Sequence, residues 1–268
     1  MSEEQLVEVE IDDPVCVIRL NRPEKLNALT YPMLADIRRA VAAAAEDSRV
    51  VGIVVTGTGR GFTAGLDSAA LTETVADGGQ SRQQSSAGDD VPGIFSYFLT
   101  TPKPIIAAVN GVAAGGGLMF AMMADVRIAS TEARFTTTFL KRGLIAEHGS
   151  SWVLPRLLGP GRALDLIYTS RMVHAEEALR IGLVEYVVEP ADLLETAKEY
   201  VRTIAREAAP LTVAESKDLV YRHLGMGYRE ALKDADAFQW RALARPDATE
   251  GARALMERRS AKFERLGR

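Results

Sequence analysis

The chain has 268 residues, 47% of them hydrophobic and 25% charged, which suits a soluble globular enzyme with one large α/β domain or a core plus a helical extension. A formal net charge of −4 gives no basic footprint for nucleic acid. The single cysteine, Cys16, cannot form an internal disulfide, which fits a reducing cytoplasm. Its alternating apolar surroundings make it a small core residue rather than a nucleophile. The acidic opening MSEEQLVEVEIDD has no apolar h-region, so no secretory signal is expected.

In chain order, LVEVEI (Leu6–Ile11) and VCVIRL (Val15–Leu20) flank the turn DDP and predict two antiparallel strands. Thr30 and Pro32 then mark the start of an alanine-rich helix through ADIRRAVAAAAED. VVGIVVTG (Val50–Gly57) is a continuous apolar run, the pattern of a strand covered on both faces. The stretch ADGGQSRQQSSAGDD (Ala76–Asp90) has no apolar period and predicts a mobile surface loop. Ile105 to Ala124 is uncharged over 20 residues, but Asn110-Gly111 and the triplet Gly115–Gly117 favour a buried strand, a turn and a buried helix over a membrane span. DVRIAS and LVEYVV supply later strands. From about Pro190 the 3.6-residue apolar spacing predicts packed helices, so residues 1–190 read as a core and 191–268 as a C-terminal helical module.

Short strands alternating with helices through glycine indicate an α/β fold of repeated strand–strand–helix turns. Gly57-Thr58-Gly59-Arg60-Gly61 is not a dinucleotide fingerprint, and no phosphate-binding GxxxxGK[ST] occurs. Two other glycine sites, FTAGLD (Phe62–Asp67) and Asn110–Gly117, each follow a strand and open a helix. Brought together, they would offer a pair of backbone donors to an enolate or oxyanion. The alternative is that these glycines only permit tight turns and close packing.

Six segments in the same order, NRPEKLNAL, VVTGTGRGFTAGLD, KPIIAAVNGVAAGGG, ADVRIAS, LPRLLG and AEEALRIGLVEYVV, resemble the enoyl-CoA hydratase/isomerase, or crotonase, superfamily. The resemblance covers about two-thirds of the chain. It implies a crotonase-like spiral of ββα units, a C-terminal helical trimerisation region and acyl-CoA thioester substrates, with CoA part of the substrate and no separate cofactor. It also implies an oxyanion hole from the N–H groups of Leu66 and Gly116. Lys25, Leu26 and Ala28, and Ala64, Leu66, Asp67, Ser68 and Ala69, match the segments that hold CoA. Arg22 or, preferred, Lys25 could meet its phosphates, or both could be solvated surface charges. The ending ARALMERRSAKFERLG resembles the family's last helix, where Lys262 or Phe263 would border CoA. A homotrimer or dimer of trimers is expected, without nucleic-acid or membrane partners.

The hydratases of this family hold one water between two glutamates. Here those positions read Met119, in GGGLMF, and Phe139, in FTTTFLKRG. The acid that remains is Glu147, in GLIAEHGSS, next to His148. Its position resembles that of the single glutamate in Δ3,Δ2-enoyl-CoA isomerases. A carboxyl group in an apolar pocket would have a raised pKa and could shuttle an α-proton. Glu147 could instead serve as a first-turn acid of a helix beginning at GSSW. For His148, orienting Glu147 or filling the core stands beside direct proton transfer. His174 and His223 are expected on amphipathic helices, Asp125 is read as a turn cap, and no cluster has metal-ligand spacing. The chemistry thus points to an enoyl-CoA isomerase, with a hydratase or hydrolase and a non-catalytic acyl-CoA-binding protein as alternatives.

Overall fold

The computed structural model describes residues 5–76, 78 and 93–267. Apart from Ala76 and Gly78, the predicted polar loop lies outside these residues.

Strands β1 (Val7–Asp12) and β2 (Val15–Leu20) pair antiparallel, with Asp12 opposite Val15. Helix α1 (Tyr31–Glu46) starts where the sequence marks it, with the Thr30 hydroxyl accepting the Met33 N–H and Pro32 in the first turn. It buries Met33, Ile37, Val41 and Ala44, one stripe at helical spacing.

Three strand–strand–helix turns follow. Strands β3 (Gly52–Gly57) and β4 (Gly61–Thr63) lead into α2 (Ser68–Ala76). After the short α3 (Tyr97–Thr100), β5 (Ile105–Val109) and β6 (Val112–Ala114) lead into α4 (Gly116–Met122). Strands β7 (Val126–Ser130) and β8 (Arg134–Thr136) lead into α5 (Ser150–Leu158). Helix α6 (Pro160–Thr169), β9 (Val173–His174), α7 (Ala175–Ile181) and β10 (Tyr186–Val188) complete this part.

The first strands of the turns join one six-stranded sheet, ordered β1-β2-β3-β5-β7-β10 and parallel from β2 onward. The second strands join a four-stranded sheet, β4-β6-β8-β9. This is the spiral of ββα units that the resemblance implied. Strand β6 is an addition: the sequence suggested a turn leading straight from β5 into the helix.

The C-terminal helices are α8 (Leu193–Glu207), α9 (Pro210–His223), α10 (Tyr228–Leu243) and α11 (Pro246–Glu257). Helix α8 lays Leu193, Ala197 and Val201 on Val15, Val17, Val54, Ile106, Ala108 and Ile128. The opposite face of the large sheet carries the main core, which includes α1 and the buried α4. The middle strands are therefore covered twice, which explains their unbroken apolar runs.

Asp125 does more than cap a turn. Its carboxylate accepts from the Ile105 N–H at 2.7 Å, Lys217 Nζ at 2.7 Å and the Tyr221 hydroxyl at 2.9 Å, bolting α9 to the sheet. Burial lowers the Lys217 pKa, and the Asp125 charge opposes that fall. A second correction concerns the end of the chain. The expected last helix stops at Glu257, and residues 258–267 run back to the core. There Arg265 meets the Asp13 carboxylate and the Arg49 carbonyl, each at 3.1 Å.

Cys16 is fully buried, and desolvation pushes its thiol up to about 11, so it is a core residue. Among the described residues no helix is long and apolar enough to cross a membrane, since Ile105–Ala124 divides among β5, β6 and α4.

Candidate active site

Leu66 forms a parallel bridge with Leu29. The Leu29 N–H donates to the Gly65 carbonyl at 2.8 Å, and the Asp67 N–H donates to the Leu29 carbonyl at 2.9 Å. In a trans peptide the N–H points opposite to the preceding carbonyl. Because the Gly65 carbonyl faces Leu29, the Leu66 N–H faces away from it, toward the start of α4. Gly65 sits at φ 89°, and a Cβ there would come within 2.5 Å of the Ala114 carbonyl and 3.2 Å of the Gly116 nitrogen. Only glycine admits this approach.

Gly116 is the first residue of α4, so by position its N–H has no intrahelical acceptor. A Cβ on Gly116 would lie 3.8 Å from the Leu66 nitrogen and 3.9 Å from His148 Cδ2. The two expected donors thus border one small space, with the imidazole at its edge. The glycines permit this close packing, and the same packing brings the two amides together.

The segments expected to hold CoA are adjacent. The Ala64 N–H donates to the Leu26 carbonyl at 2.9 Å, so residues 26–29 and 64–67 run side by side. Buried Asn27 fixes the first of them: its Oδ1 accepts the Arg22 N–H at 2.8 Å and its Nδ2 donates to the Thr58 and Gly61 carbonyls at 3.0 and 2.8 Å. Leu26 and Asn27 both sit at positive φ, 50° and 55°. Lys25, Ser68 and Ala69 are exposed, while Leu26, Ala28, Ala64, Leu66 and Asp67 are half-buried.

Arg22 is not a solvated charge. Its Nη1 donates to Asp67 Oδ2 at 2.7 Å and to the Ala28 carbonyl at 3.2 Å. The hydrogen bond from Arg22, with a further one from the Ala69 N–H at the start of α2, holds the Asp67 carboxyl below its ordinary range. Sequence reasoning missed this role of Arg22, and the positioning role of Asn27, because both depend on segments some thirty to forty-five residues apart.

On the acid–base side, the two apolar side chains at the positions that the resemblance gives to the hydratase glutamates are sealed in: Met119 is 0% and Phe139 3% exposed. Glu147 and His148 lie beyond them in a turn before α5. His148 Nε2 is 3.6 Å from Glu147 Oε1, with side-chain exposures of 10% and 29%. The imidazole packs edge-on against Phe139 and Phe95, with ring centroids 6.1 and 6.4 Å away. His148 and Gly149 both take positive φ, 55° and 80°, a sharp bend that turns the imidazole inward.

Three expectations change here. Glu147 is not enclosed in an apolar pocket, since its side chain is 29% exposed and nearby Ile145 79% exposed. Glu147 is not a first-turn acid; its carbonyl accepts the Ser150 N–H at 3.0 Å, ahead of the helix proper. His174 is not helical but closes β9 and precedes α7, whereas His223 ends α9 and faces Asp234 at 3.1 Å. Among the described residues no group of three or more His, Cys, Asp or Glu side chains could hold a metal ion.

The model of the enoyl-CoA hydratase/isomerase family matches residues 10–266. The chain belongs to that family. As a member of the enoyl-CoA hydratase/isomerase family it is 36% identical over 265 residues to the crotonyl-CoA hydratase of Syntrophomonas wolfei, covering 98% of this chain and 99% of the relative. It is 37% identical over 253 residues to the short-chain-enoyl-CoA hydratase of Clostridium acetobutylicum, covering 94% of each. Its fold is also that of the solved enoyl-CoA hydratase from Bacillus anthracis, at 29% identity and a TM-score of 0.88 over 97% of this chain and 99% of that one. A place in this family makes the chain an acyl-CoA enzyme of the hydratase/isomerase kind.

Proposed function

We propose that the protein moves a proton on an enoyl-CoA thioester whose carbonyl oxygen is held by the Leu66 and Gly116 N–H groups. The observation that carries this reading is the position of the Glu147–His148 pair, with His148 Cδ2 3.9 Å from where a Cβ on Gly116 would lie and Glu147 Oε1 3.6 Å from His148 Nε2. Two donors on the oxygen stabilise the enolate and so acidify the α-carbon. Glu147 removes the α-proton of a β,γ-enoyl-CoA and delivers a proton, exchangeable with water while it sits on the carboxyl, at the γ-carbon, bringing the double bond into conjugation. His148 Nε2 orients the carboxylate. One movable carboxyl group is enough for this reaction, because both carbons can lie on one side of it. The half-exposed ridge of residues 25–28 and 64–69 is where CoA would lie, with Lys25 toward its phosphates. A trimer or dimer of trimers would cover the exposed Trp240, Leu255 and Met256 of α10 and α11. A monodisperse monomer in light scattering at micromolar concentration would remove that assembly.

Hydration is the second reading, favoured by the names of the relatives and by the pairing itself. Glu147 and a neutral His148 would be two acceptors able to fix one water, in place of the pair that Met119 and Phe139 do not provide. Incubating β,γ- and α,β-enoyl-CoA esters in heavy water and in oxygen-18 water separates the two. Deuterium at the γ-carbon without oxygen uptake marks isomerisation; label uptake at the β-carbon that is lost in His148→Ala marks hydration. In either case Glu147→Gln should lower turnover about 10²-fold or more while CoA-ester binding persists. Near-wild-type rates in Glu147→Gln would remove Glu147 from the chemistry.

A further inference from the structure

A continuous line of hydrogen bonds joins a cation to one of the two amides, although that cation is not in the site itself. Arg22 Nη1 donates to the Ala28 carbonyl at 3.2 Å. That carbonyl shares its planar peptide with the Leu29 N–H, which points the opposite way and donates to the Gly65 carbonyl at 2.8 Å. The Gly65 carbonyl in turn shares its peptide with the Leu66 N–H. A positive charge at the acceptor end of such a chain draws electron density toward itself and leaves the far N–H a stronger donor, each bond polarising the next.

Two features keep the line in place. Asp67 grips the same Arg22 nitrogen at 2.7 Å, and its own N–H returns to the Leu29 carbonyl at 2.9 Å, closing a ring of contacts around Leu66. The Arg22 and Asp67 side chains are only 20% and 14% exposed, so water screens the guanidinium less than it would a surface charge.

We propose that Arg22 is a positioning residue that orients and polarises the Leu66 N–H through the Ala28–Leu29 and Gly65–Leu66 peptides. Its effect grows as negative charge builds on the thioester oxygen. The inference rests on the reading that Leu66 and Gly116 hold that oxygen. It goes beyond that reading by giving one of the two donors a charge behind it.

An aryl-acryloyl-CoA tests this directly, because its absorption moves to longer wavelength when its carbonyl oxygen is polarised. In saturating protein, Arg22→Gln should shrink the wild-type shift markedly, since glutamine can still donate to Ala28 but brings no charge. It should also lower kcat about tenfold, with KM changed less than about twofold. Arg22→Lys, which keeps the cation, should recover most of both. A cross-link without an electrostatic role would leave the shift of a folded Arg22→Gln protein unchanged, or make Arg22→Lys as poor as Arg22→Gln; either result overturns the proposal. If Arg22→Gln does not fold, an ester in place of the amide at residue 29 breaks the line with Arg22 intact, and an undiminished shift there is equally fatal. A wild type with no shift at all defeats the Leu66/Gly116 reading and this proposal with it. A wild-type shift retained in Arg22→Gln defeats only the role of Arg22.

Discussion

Around Leu66 and Gly116 nearly everything that matters is backbone: a strand bridge to Leu29, a helix start, and glycines where a Cβ would collide with a neighbouring chain. Around Glu147 and His148 the working groups are side chains on a turn, with Ile145 at the surface and Gly143 in open space. A polarised carbonyl is common to many reactions on a thioester, so a donor pair made of main chain can be kept while the acid–base side changes. The second region is where one chemistry can be exchanged for another without rebuilding the sheet, and Met119 and Phe139 are buried beside it.

Matched glycine substitutions test the contrast most severely. A Cβ on Gly117 would overlap the Thr63 carbonyl oxygen, and both partners are backbone of packed elements. Gly117→Ala should therefore cost about 4 kcal/mol or more in denaturant unfolding. Gly143, at φ 70° with nothing within 4 Å, should cost only the left-handed strain of about 1–2 kcal/mol as alanine. Equal losses would erase the distinction between the two regions.

Gly116→Pro comes next. Proline is tolerated at a first helical position, so α4 should persist while one donor disappears. Transition-state stabilisation should drop by about 3 kcal/mol in kcat/KM, and undiminished turnover in a folded variant would remove Gly116 from the donor pair.

The smallest effect concerns acid. The Arg22 hydrogen bond depresses the folded Asp67 pKa below the ordinary value of an aspartate. The stability this supplies is fully present above that value and is lost as pH falls through the lower folded one. Denaturant midpoints measured downward from pH 5 should fall less steeply in Asp67→Asn than in wild type over that acid range. Parallel slopes would mean that the ion pair adds nothing to the first region.

The same contrast governs what could be read in the sequence. Runs such as VCVIRL and GIVVTG and the Thr30–Pro32 helix start follow from local rules, and they place the strands and α1 correctly. Asn27, Arg22 and Asp125 are different, because their partners are distant and no periodicity points to them. Asp125 is held by Lys217 and Tyr221, more than ninety residues away. His174 went astray for another reason: two-residue β9 is too short to leave an alternating pattern beside the helical signal of α7. On the acid–base side, the apolar neighbours of Glu147 suggested a pocket, but the sharp bend at His148 turns the ring inward and leaves Ile145 in water.

The returning C-terminal segment bears on the order of assembly. Strand β1 and the turn after it are tied by Lys198 and Arg202 of α8 to Glu10 and Asp12, and by Arg265 to Asp13. Strand β1 thus waits for partners made 188 to 190 residues later. The opening hairpin, marginal when alone, must be carried through synthesis with those partners still missing. Contacts across nearly the whole chain make final closure a late, slow event with a high loop entropy to overcome. During that interval the apolar face of the large sheet that α8 will cover is open to other chains, and crowding or slow elongation would act on the protein there.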